Sequence, residues 1–488
     1  GTVAFHPSSD VTVQRFSKAT FDSSGIFANA SYGAFWSGSG AVERQVSAVL
    51  QRDKFGNPTL SSNSNGATVV AGYGALGRKY YEGSNTGVAS TVTWRWCSGL
   101  SGVSITVPCP NFATYRVQTS AAGAPTSWAY FDRLDREVMT VRQGFDGAQF
   151  IAVRKVYDEV GRPKKVSEPY FTVSPSSGSI GTGSPIWTTT TYDAIGRVTH
   201  VDHPNGGATD FGFDGLTTVT SLPVNKAGIR ERKTEVRSAL GELFQVTDHL
   251  GSTITYAYDA TGNVTRTTRN TWDGKLVVTQ ASYDVLGRRL TLNDPDAGAW
   301  TYAYNALGEL VRKASGTSCT ASLYDGQGRL WSRSDYSIGA CTGTPDATST
   351  WTYDTASHGL GSLAQVSSSD GGAAYTRTPS YDSYGREVMV TTNVLGNAYR
   401  QSTTYDQYGR IFQTLFNLNG YAQTGELYQY NAQGYQNTVR DAYPEYSGAI
   451  YYEVQAMDAR GNVTQERHAG NNNLVTTRQY DTATGRLK

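Results

Sequence analysis

The sequence predicts an all-β fold, in the form of one long antiparallel sheet of stacked β-hairpins. Two observations carry this prediction. A six-residue pattern, Tyr-Asp-x-x-Gly-Arg, recurs along the chain, and the segments between its copies alternate apolar and polar residues with a period of two. The 488 residues include 53 Gly and 32 Tyr but only 3 Met, a bias toward residues of turns and strands. Because β-sheets twist, a sheet of this length is expected to coil.

Intact copies of the hexamer are interspersed with near copies, such as the one in which Asn263 replaces the final Arg. The residues predicted to build the repeat turns are Tyr157, Asp158, Gly161, Arg162, Tyr192, Asp193, Gly196, Arg197, Tyr258, Asp259, Gly262, Tyr283, Asp284, Gly287, Arg288, Tyr324, Asp325, Gly328, Arg329, Tyr381, Asp382, Gly385, Arg386, Tyr405, Asp406, Gly409 and Arg410.

Each hexamer has the chemistry of a hairpin turn. The Asp side chain accepts hydrogen bonds from nearby backbone N–H groups, and the Gly three residues later supplies the positive φ that closes the turn with a bulge. Tyr before the turn and Arg after it are expected on paired strands, where they stack or pair across the ladder. Tyr at this fixed position is also expected to pack against its neighbour in the next unit. We therefore expect these residues to serve architecture and not catalysis.

The segments between hexamers have the alternation of half-buried strands. In Gly298–Tyr304, the side chains of Trp300, Tyr302 and Tyr304 share one face. A second kind of turn, such as Asp248–Gly251, often lies between hexamers, so that one unit consists of two strands and two turns. The segment Ile229–Val246 contains helix formers, but it matches the repeat and favours strand–turn–strand over a helix.

Two regions are expected along the chain. Residues 1–130 form an irregular N-terminal β region with degenerate repeats, and residues 131–488 form the regular repeat sheet. The stretch Thr172–Pro185 is rich in Ser, Gly and Pro, which is typical of a linker.

The four cysteines fall into two close pairs, Cys97 with Cys109 and Cys319 with Cys341. The even count and the short spacing favour two disulfides, with free buried thiols as the alternative. A zinc site is disfavoured, because no Cys-x-x-Cys pattern and no nearby His accompany them. Disulfides would place the chain in an oxidising compartment.

Several classes of function are disfavoured. A net charge of +1 argues against a nucleic-acid binder, and no apolar run is long enough for a transmembrane helix. The short patterns around His200 and His203, and the Asp294–Gly298 stretch, are better explained as turns than as metal sites. No catalytic constellation stands out, so we expect neither an enzyme nor a cofactor.

The hexamers and the Tyr-x-Tyr-Asp strands resemble the YD-repeat, or RHS-repeat, family, most clearly from about 131 to 488. This family includes Tc toxin B and C components, polymorphic toxins and the animal teneurins. The resemblance implies that the sheet curls into part of a hollow RHS-type shell in a secreted bacterial protein. It also implies a partner, an enclosed C-terminal toxin or effector of the same gene product.

The chain departs from the complete pattern of this family. Its Asp-Pro-x-Gly-Leu element is absent, and the nearest string, Asp294–Gly298, lies in mid-chain without the Leu. The self-cleaving aspartates are therefore not assigned. We expect a partial shell, with any cargo elsewhere in the gene product.

An alternative function remains open at this point. An extracellular adhesion or carbohydrate-binding scaffold would present an exposed strip of Trp and Tyr side chains. The open ends of a coiled sheet also expose edge strands, which can pair between copies of the chain.

Overall fold

The structure is a computed structural model of the 488-residue chain. It describes residues 2–5, 12–15, 17–36, 41–85, 87, 89–98, 106–177, 180, 183–225, 227–271, 273–370, 372–418, 423–442, 449–468 and 474–488. All regular structure in these residues is β-strand. The predicted all-β fold is therefore confirmed.

The first half of the chain contains strands β1 (Thr2–Phe5), β2 (Thr12–Arg15), β3 (Ser17–Phe21), β4 (Ala28–Trp36), β5 (Ala41–Arg52), β6 (Pro58–Asn63), β7 (Thr68–Tyr73), β8 (Lys79–Ser84), β9 (Ala89–Cys97), β10 (Thr106–Val107), β11 (Tyr115–Ala121), β12 (Ser127–Phe131), β13 (Glu137–Gln143), β14 (Phe150–Tyr157), β15 (Pro163–Ser167), β16 (Tyr170–Thr172), β17 (Trp187–Tyr192), β18 (Val198–Asp202), β19 (Ala208–Asp214), β20 (Thr217–Val224) and β21 (Arg230–Arg237).

The second half contains strands β22 (Leu243–Thr247), β23 (Thr253–Tyr258), β24 (Val264–Asn270), β25 (Leu276–Tyr283), β26 (Arg289–Asp294), β27 (Gly298–Tyr304), β28 (Leu310–Ala314), β29 (Cys319–Tyr324), β30 (Leu330–Tyr336), β31 (Ala347–Tyr353), β32 (Leu363–Asp370), β33 (Ala373–Tyr381), β34 (Glu387–Val394), β35 (Asn397–Tyr405), β36 (Ile411–Leu418), β37 (Thr424–Tyr430), β38 (Gln436–Asp441), β39 (Ile450–Met457), β40 (Val463–His468) and β41 (Leu474–Thr477).

From β3 onward, each strand pairs antiparallel with the next in an open meander, apart from two local irregularities. The short strand β10 lies parallel beside β9. Strand β9 also pairs antiparallel with β11. Strand β14 pairs through its two halves with β15 and with β16, and β15 then continues the sheet to β17. Strands β1 and β2 pair only with each other in the described part of the chain. The segment around 229–246 is strand–turn–strand, as the repeat pattern favours.

Turns of two kinds alternate along the meander, and they define the two edges of the sheet. The hexamer turns, such as those at Asp158 and Asp284, lie on one edge, which we call the YD edge. The intervening turns, such as Asp248–Gly251 and Asn393–Gly396, lie on the other edge, which we call the return edge. The predicted boundary between residues 130 and 131 falls inside strand β12 of this continuous sheet.

The sheet winds around far enough to meet itself. The side chain of Asn65, on the return edge, donates a hydrogen bond to the Leu360 carbonyl oxygen (3.3 Å) and accepts one from the Leu360 N–H (3.2 Å). About 23 strands lie between these residues, and at roughly 4.8 Å per strand they give a perimeter of roughly 110 Å. A ring of that perimeter has a diameter of roughly 35 Å. The sheet is therefore a spiral of more than one winding around an internal space.

One local hydrophobic core lies on strands β12 to β14, where Tyr130, Met139 and Ala152 are fully buried. It is covered partly by the segment that the composition predicts to be a linker. That prediction is wrong for the described residues of Thr172–Pro185, because Pro175 and Ile180 are buried against the sheet. The Arg116 guanidinium fixes the segment further by donating to the Pro175 carbonyl oxygen (2.6 Å).

Candidate functional site

Each hexamer forms a turn in which one aspartate side chain organises the backbone. At Asp158, the carboxylate oxygen Oδ1 accepts hydrogen bonds from the N–H groups of Val160 (3.1 Å) and Arg162 (2.8 Å). The Gly161 N–H donates to the Asp158 carbonyl oxygen (3.1 Å), and the Asp158 N–H donates to the Arg162 carbonyl oxygen (2.9 Å). The same pattern recurs at the other predicted turns, so the aspartates act as turn residues.

The glycine of each turn has the positive φ that the spacing predicts. Values at the intact hexamers and at Gly262 lie between 76° and 91°. The ladder shifts register at the Tyr that precedes each turn, as at Tyr157, which is the signature of a bulge. In the degenerate copy after Phe131, Asp135 takes the place of the glycine at φ 63°, a conformation that Asp tolerates better than most residues.

The arginine of each hexamer links its own turn to the next repeat. The Arg162 Nε donates to Asp158 Oδ2 (2.7 Å), and the Arg162 guanidinium lies 4.5 Å from the ring centroid of Tyr192. Its Nη1 also donates to the Asp193 carbonyl oxygen (3.1 Å). Arg329 likewise reaches forward, with Nη1 and Nη2 donating to both carboxylate oxygens of Asp354.

The tyrosine of each repeat completes this link from the other side. The Tyr192 hydroxyl donates to the carbonyl oxygen of Pro163 (2.8 Å), the residue that follows Arg162 in the preceding repeat. The same position supplies the acceptor for the Tyr hydroxyls at 157, 258, 283, 324, 353, 381, 405 and 430. The prediction that Tyr and Arg of one hexamer pair across their own ladder is therefore wrong, because the bulge directs them toward the neighbouring repeats.

These contacts lower the pKa of several turn aspartates, which are those at positions 158, 193, 259, 284, 382 and 406. The Arg197 side chain and its backbone N–H both donate to Asp193, and they lower the pKa of that carboxyl. At the near copy, donors on Asn263 and Thr261 lower the pKa of Asp259 to about 2. Asn305 and Asn431 fill the same position with an amide that accepts the same backbone hydrogen bonds without titrating.

Where the second winding meets the first, YD-edge turns bind return-edge turns along a line that we call the seam. The Arg410 Nη1 donates to the Gly123 carbonyl oxygen (2.9 Å), and the Asn431 Nδ2 donates to the Phe145 carbonyl oxygen (2.6 Å). The partners along the seam are 286 to 295 residues apart in sequence, which is the length of one winding. The seam therefore joins successive windings into one wall.

Tyr435 and Arg460 extend the seam toward the C-terminal end through three further contacts. The Tyr435 hydroxyl donates to the Gln143 carbonyl oxygen (2.8 Å) and accepts from the Arg142 Nη1 (3.2 Å). Arg460 forms an ion pair with Glu168 at 2.9 Å, with both side chains about three-quarters buried. A cavity of about 260 Å³ lies beside this pair. Sequence reasoning missed the seam, because contacts nearly 300 residues apart leave no local pattern.

Glycine is required at the seam for close approach as well as for its backbone conformation. A Cβ on Gly123 would lie 2.7 Å from the ring of Tyr408 in the other winding. That distance is too short for ordinary contact between carbon atoms. The small residues of the return edge thus allow the two windings to touch.

Both predicted cysteine pairs are disulfide-bonded, Cys97 to Cys109 and Cys319 to Cys341. Cys97 and Cys319 are buried, at 4% and 1% exposure. The first disulfide lies next to the local core, and the second closes the long turn between β30 and β31 onto β29. Two disulfides fit a protein of an oxidising compartment.

Aromatic side chains also cluster on one face of β9, β11 and β12. The Tyr115 ring stacks on Phe131 at 4.9 Å between centroids, and Trp96 meets Tyr115 edge-on at 5.8 Å. Burial and a hydrogen bond to Asp135 raise the pKa of Tyr115 to about 12. Trp96 is 48% exposed, so this cluster presents an aromatic surface to solvent.

The sequence also offered two weaker candidates for a metal site, around His200 and in the stretch Asp294–Gly298. His200 lies on β18 between the carboxylates of Asp202 (3.0 Å) and Asp210 (2.5 Å), which raise its pKa. Asp294 caps the turn before β27 by accepting the N–H groups of Asp296 and Ala297. Within the described residues, no group of three or more His, Cys, Asp or Glu side chains is arranged to hold a metal ion.

A comparison with known protein families identifies one repeat in the chain. The RHS Repeat family model matches residues 237–275, which contain the turns at Ser238 and Asp248. This segment of the chain is an RHS repeat. A search of the curated proteins finds no match to the sequence.

Solved structures share the fold of the chain. The crystal structure of TcdB2-TccC3 without its hypervariable C-terminal region matches with a TM-score of 0.63 and 13% identity over 97% of the chain. The Tc holotoxin pore of Photorhabdus luminescens, with a D651A mutation in TccC3, matches with a TM-score of 0.56 and 13% identity over 94% of the chain. The chain spans 30% and 32% of those two chains.

These likenesses establish the shell fold, with the same long antiparallel sheet. Among the described residues, the structure contains no helix long and apolar enough to cross a membrane.

Proposed function

We propose that the protein is a non-catalytic wall segment of a shell that encloses or presents a C-terminal effector polypeptide of the same gene product. The observation that carries this proposal is the seam, in which turns such as Asn431 bind the preceding winding at Phe145. The seam closes the wall between successive windings. A container needs such a closed wall, whereas a simple adhesion rod does not. The internal space, roughly 35 Å across at the sheet, has room for a partly unfolded chain.

The proposed mechanism is sequestration. The wall would keep a polypeptide away from solvent and proteases until the shell opens. The carboxylate of Asp193 supports a structural role, because its lowered pKa is explained by hydrogen bonds within its own turn. Secretion from a bacterium belongs to the same proposal, and it is supported by the two disulfides and by the fold shared with Tc toxin structures.

Limited proteolysis and intact-mass analysis of the whole native gene product test this proposal. Under native conditions, we expect a C-terminal fragment that co-purifies with the shell, resists protease and separates only on denaturation. A variant that weakens the seam, Asn431→Ala with Tyr435→Phe, should speed its digestion. Matched changes within one winding, Asn305→Ala with Tyr283→Phe, should not. A single uncleaved product with no protected fragment would overturn the proposal.

A second function, carbohydrate binding, is favoured by the exposed aromatic cluster around Trp96 and Tyr115. Flat aromatic rings bind the apolar faces of sugars. Under this alternative, the chain would bind glycans on an array, and Trp96→Ala would remove that binding. Trp331→Ala is the matched control, because Trp331 is similarly exposed at 43% but lies far along the sheet on β30.

A further inference from the structure

The sequence contains three Asn-Gly dipeptides, of which Asn419–Gly420 lies outside the described residues. Asn65–Gly66 lies in the turn between β6 and β7, and Asn205–Gly206 lies in the turn between β18 and β19. Both are return-edge turns of one form. In each, the glycine has a positive φ (87° and 81°), and its N–H donates to the carbonyl oxygen three residues earlier (3.3 Å and 3.0 Å). The two dipeptides therefore share a local sequence and a backbone conformation but differ in their surroundings.

An Asn-Gly dipeptide is open to one reaction that needs only water. The backbone nitrogen of the glycine attacks Cγ of the asparagine, a five-membered succinimide forms, and the side-chain nitrogen leaves as ammonia with the backbone proton. Water then opens the ring at either carbonyl group, which gives aspartate or isoaspartate. Asparagine is a thermolabile residue for this reason, and a following glycine favours the attack because it has no side chain to obstruct it.

The side-chain amide of Asn65 is held by the other winding. Its Nδ2 donates to the Leu360 carbonyl oxygen (3.3 Å), and its Oδ1 accepts from the Leu360 N–H (3.2 Å). A second turn of that winding also approaches it, since a Cβ on Gly385 would lie 2.9 Å from Asn65 Nδ2. Attack on Cγ makes this planar carbon tetrahedral and displaces both of its polar atoms. The two hydrogen bonds to Leu360 must therefore break before the reaction can occur.

The side chain of Asn205 is held only locally in comparison. It is exposed, and its Oδ1 accepts a hydrogen bond within its own turn, from the Gly207 N–H (3.1 Å). This bond breaks whenever the exposed turn fluctuates. The Asn205 amide can therefore react without any separation of the windings.

We propose that Asn65 is a deamidation site that the seam protects and that reacts when the windings separate beside it. The product cannot restore the contact, because a carboxylate has no N–H to donate to the Leu360 carbonyl oxygen and places a negative oxygen against it. Isoaspartate also adds one methylene group to the main chain of the turn. The modification therefore makes a lasting separation of the windings irreversible. This inference depends on the winding and not on the enclosure of an effector.

Peptide mass spectrometry of the incubated chain, with separation of Asn, Asp and isoaspartate peptides, tests the protection. In the native chain at neutral pH, Asn205 should deamidate at least about tenfold faster than Asn65, because two hydrogen bonds across the seam must break at Asn65. In denaturant, the two sites should react at similar rates, since both are followed by glycine. Equal rates in the native chain would overturn the proposal, and so would a slow Asn65 in the denatured chain.

A pair of glycine variants tests whether the other winding provides the protection. Gly385→Ala places a Cβ against the Asn65 amide and should speed deamidation of Asn65 in the native chain. Gly241→Ala is the matched control, because Gly241 has a similar positive φ (85° against 80°) but open space around it. It carries the same backbone strain and should leave the rate at Asn65 unchanged. An equal effect of the two variants would show that protection does not come from the seam.

The consequence of the modification is tested with Asn65→Asp, which introduces the charge of the product without isoaspartate. Hydrogen exchange of the native chain should become faster in the turn at 354–362 of the other winding, where Leu360 lies. Asn205→Asp makes the same change outside the seam and should leave that turn unchanged. If Asn65→Asp exchanges like the wild type at Leu360, the modification does not open the seam. That result would overturn the inference while leaving the proposed enclosure intact.

Discussion

The Tyr192 hydroxyl donates a hydrogen bond to the backbone carbonyl oxygen of Pro163, 29 residues earlier in the chain. The ring of Tyr192 at the same time lies beneath the guanidinium of Arg162, which is held by its own turn aspartate. Each hexamer therefore makes two contacts of this kind. Its Tyr binds the preceding repeat, and its Arg binds the following repeat. This arrangement makes the row of turns on the YD edge a continuous chain of interactions.

The first prediction concerns the turn glycine. Gly287→Val places a Cβ at φ 76°, which is strained for any L-residue, and brings it 3.2 Å from the Asn263 side chain. We expect a local loss of roughly 1–3 kcal/mol, seen as faster hydrogen exchange in β25 and β26. Gly316→Val is the matched control, because Gly316 has open space around it and no positive φ. Equal exchange in the two variants would show that the turn does not depend on this glycine.

The second prediction separates contacts at the seam from contacts within one winding. Tyr435→Phe removes the hydrogen bond to the Gln143 carbonyl oxygen, at a cost of about 0.5–1.5 kcal/mol. We expect faster hydrogen exchange in two distant places, the turn at 431–435 and the turn at 143–147. Tyr430→Phe removes a hydrogen bond to Ile411 and should change exchange only in its own winding. If Tyr435→Phe leaves the turn at 143–147 unchanged, the windings are not coupled there.

Local patterns in the sequence were enough to predict the hairpins but not the wall. The Asp and Gly positions and the alternation of apolar residues depend on neighbours in sequence, so the turn at Asp158 and the strands beside it could be predicted. The contact of Arg162 with Tyr192 depends on the direction in which the bulge turns each side chain. The contact of Asn65 with Leu360 depends on the twist accumulated over a whole winding. The burial of Ile180 could not be predicted either, because the Ser, Gly and Pro residues around it are also typical of linkers.

The third prediction concerns the disulfide between Cys319 and Cys341. It closes a loop with a sequence separation of 22, for which the chain-entropy argument gives roughly 3 kcal/mol of stabilisation. Cys319→Ser with Cys341→Ser should therefore speed hydrogen exchange in β29 and β30, with little change around Cys97. Because Cys319 is 1% exposed, the native disulfide should also resist dithiothreitol until denaturant is added. Rapid reduction under native conditions would contradict the burial of this disulfide.

The last prediction is that acid weakens the repeat turns selectively. The pKa of Asp259 is lowered to about 2, below the ordinary value of 3.8, so its charged form is bound more tightly in the folded state. Its stabilisation is fully present above pH 3.8 and is lost as the pH falls through about 2. Protection factors, corrected for intrinsic exchange, should fall in β23 and β24 over that range. The turn at Asn305 has an amide in the same position and should keep its protection, which makes it an internal control. Asp259→Asn should remove the acid dependence at its own turn, and an equal loss of protection at Asn305 would show that the acid response does not come from the turn carboxylates.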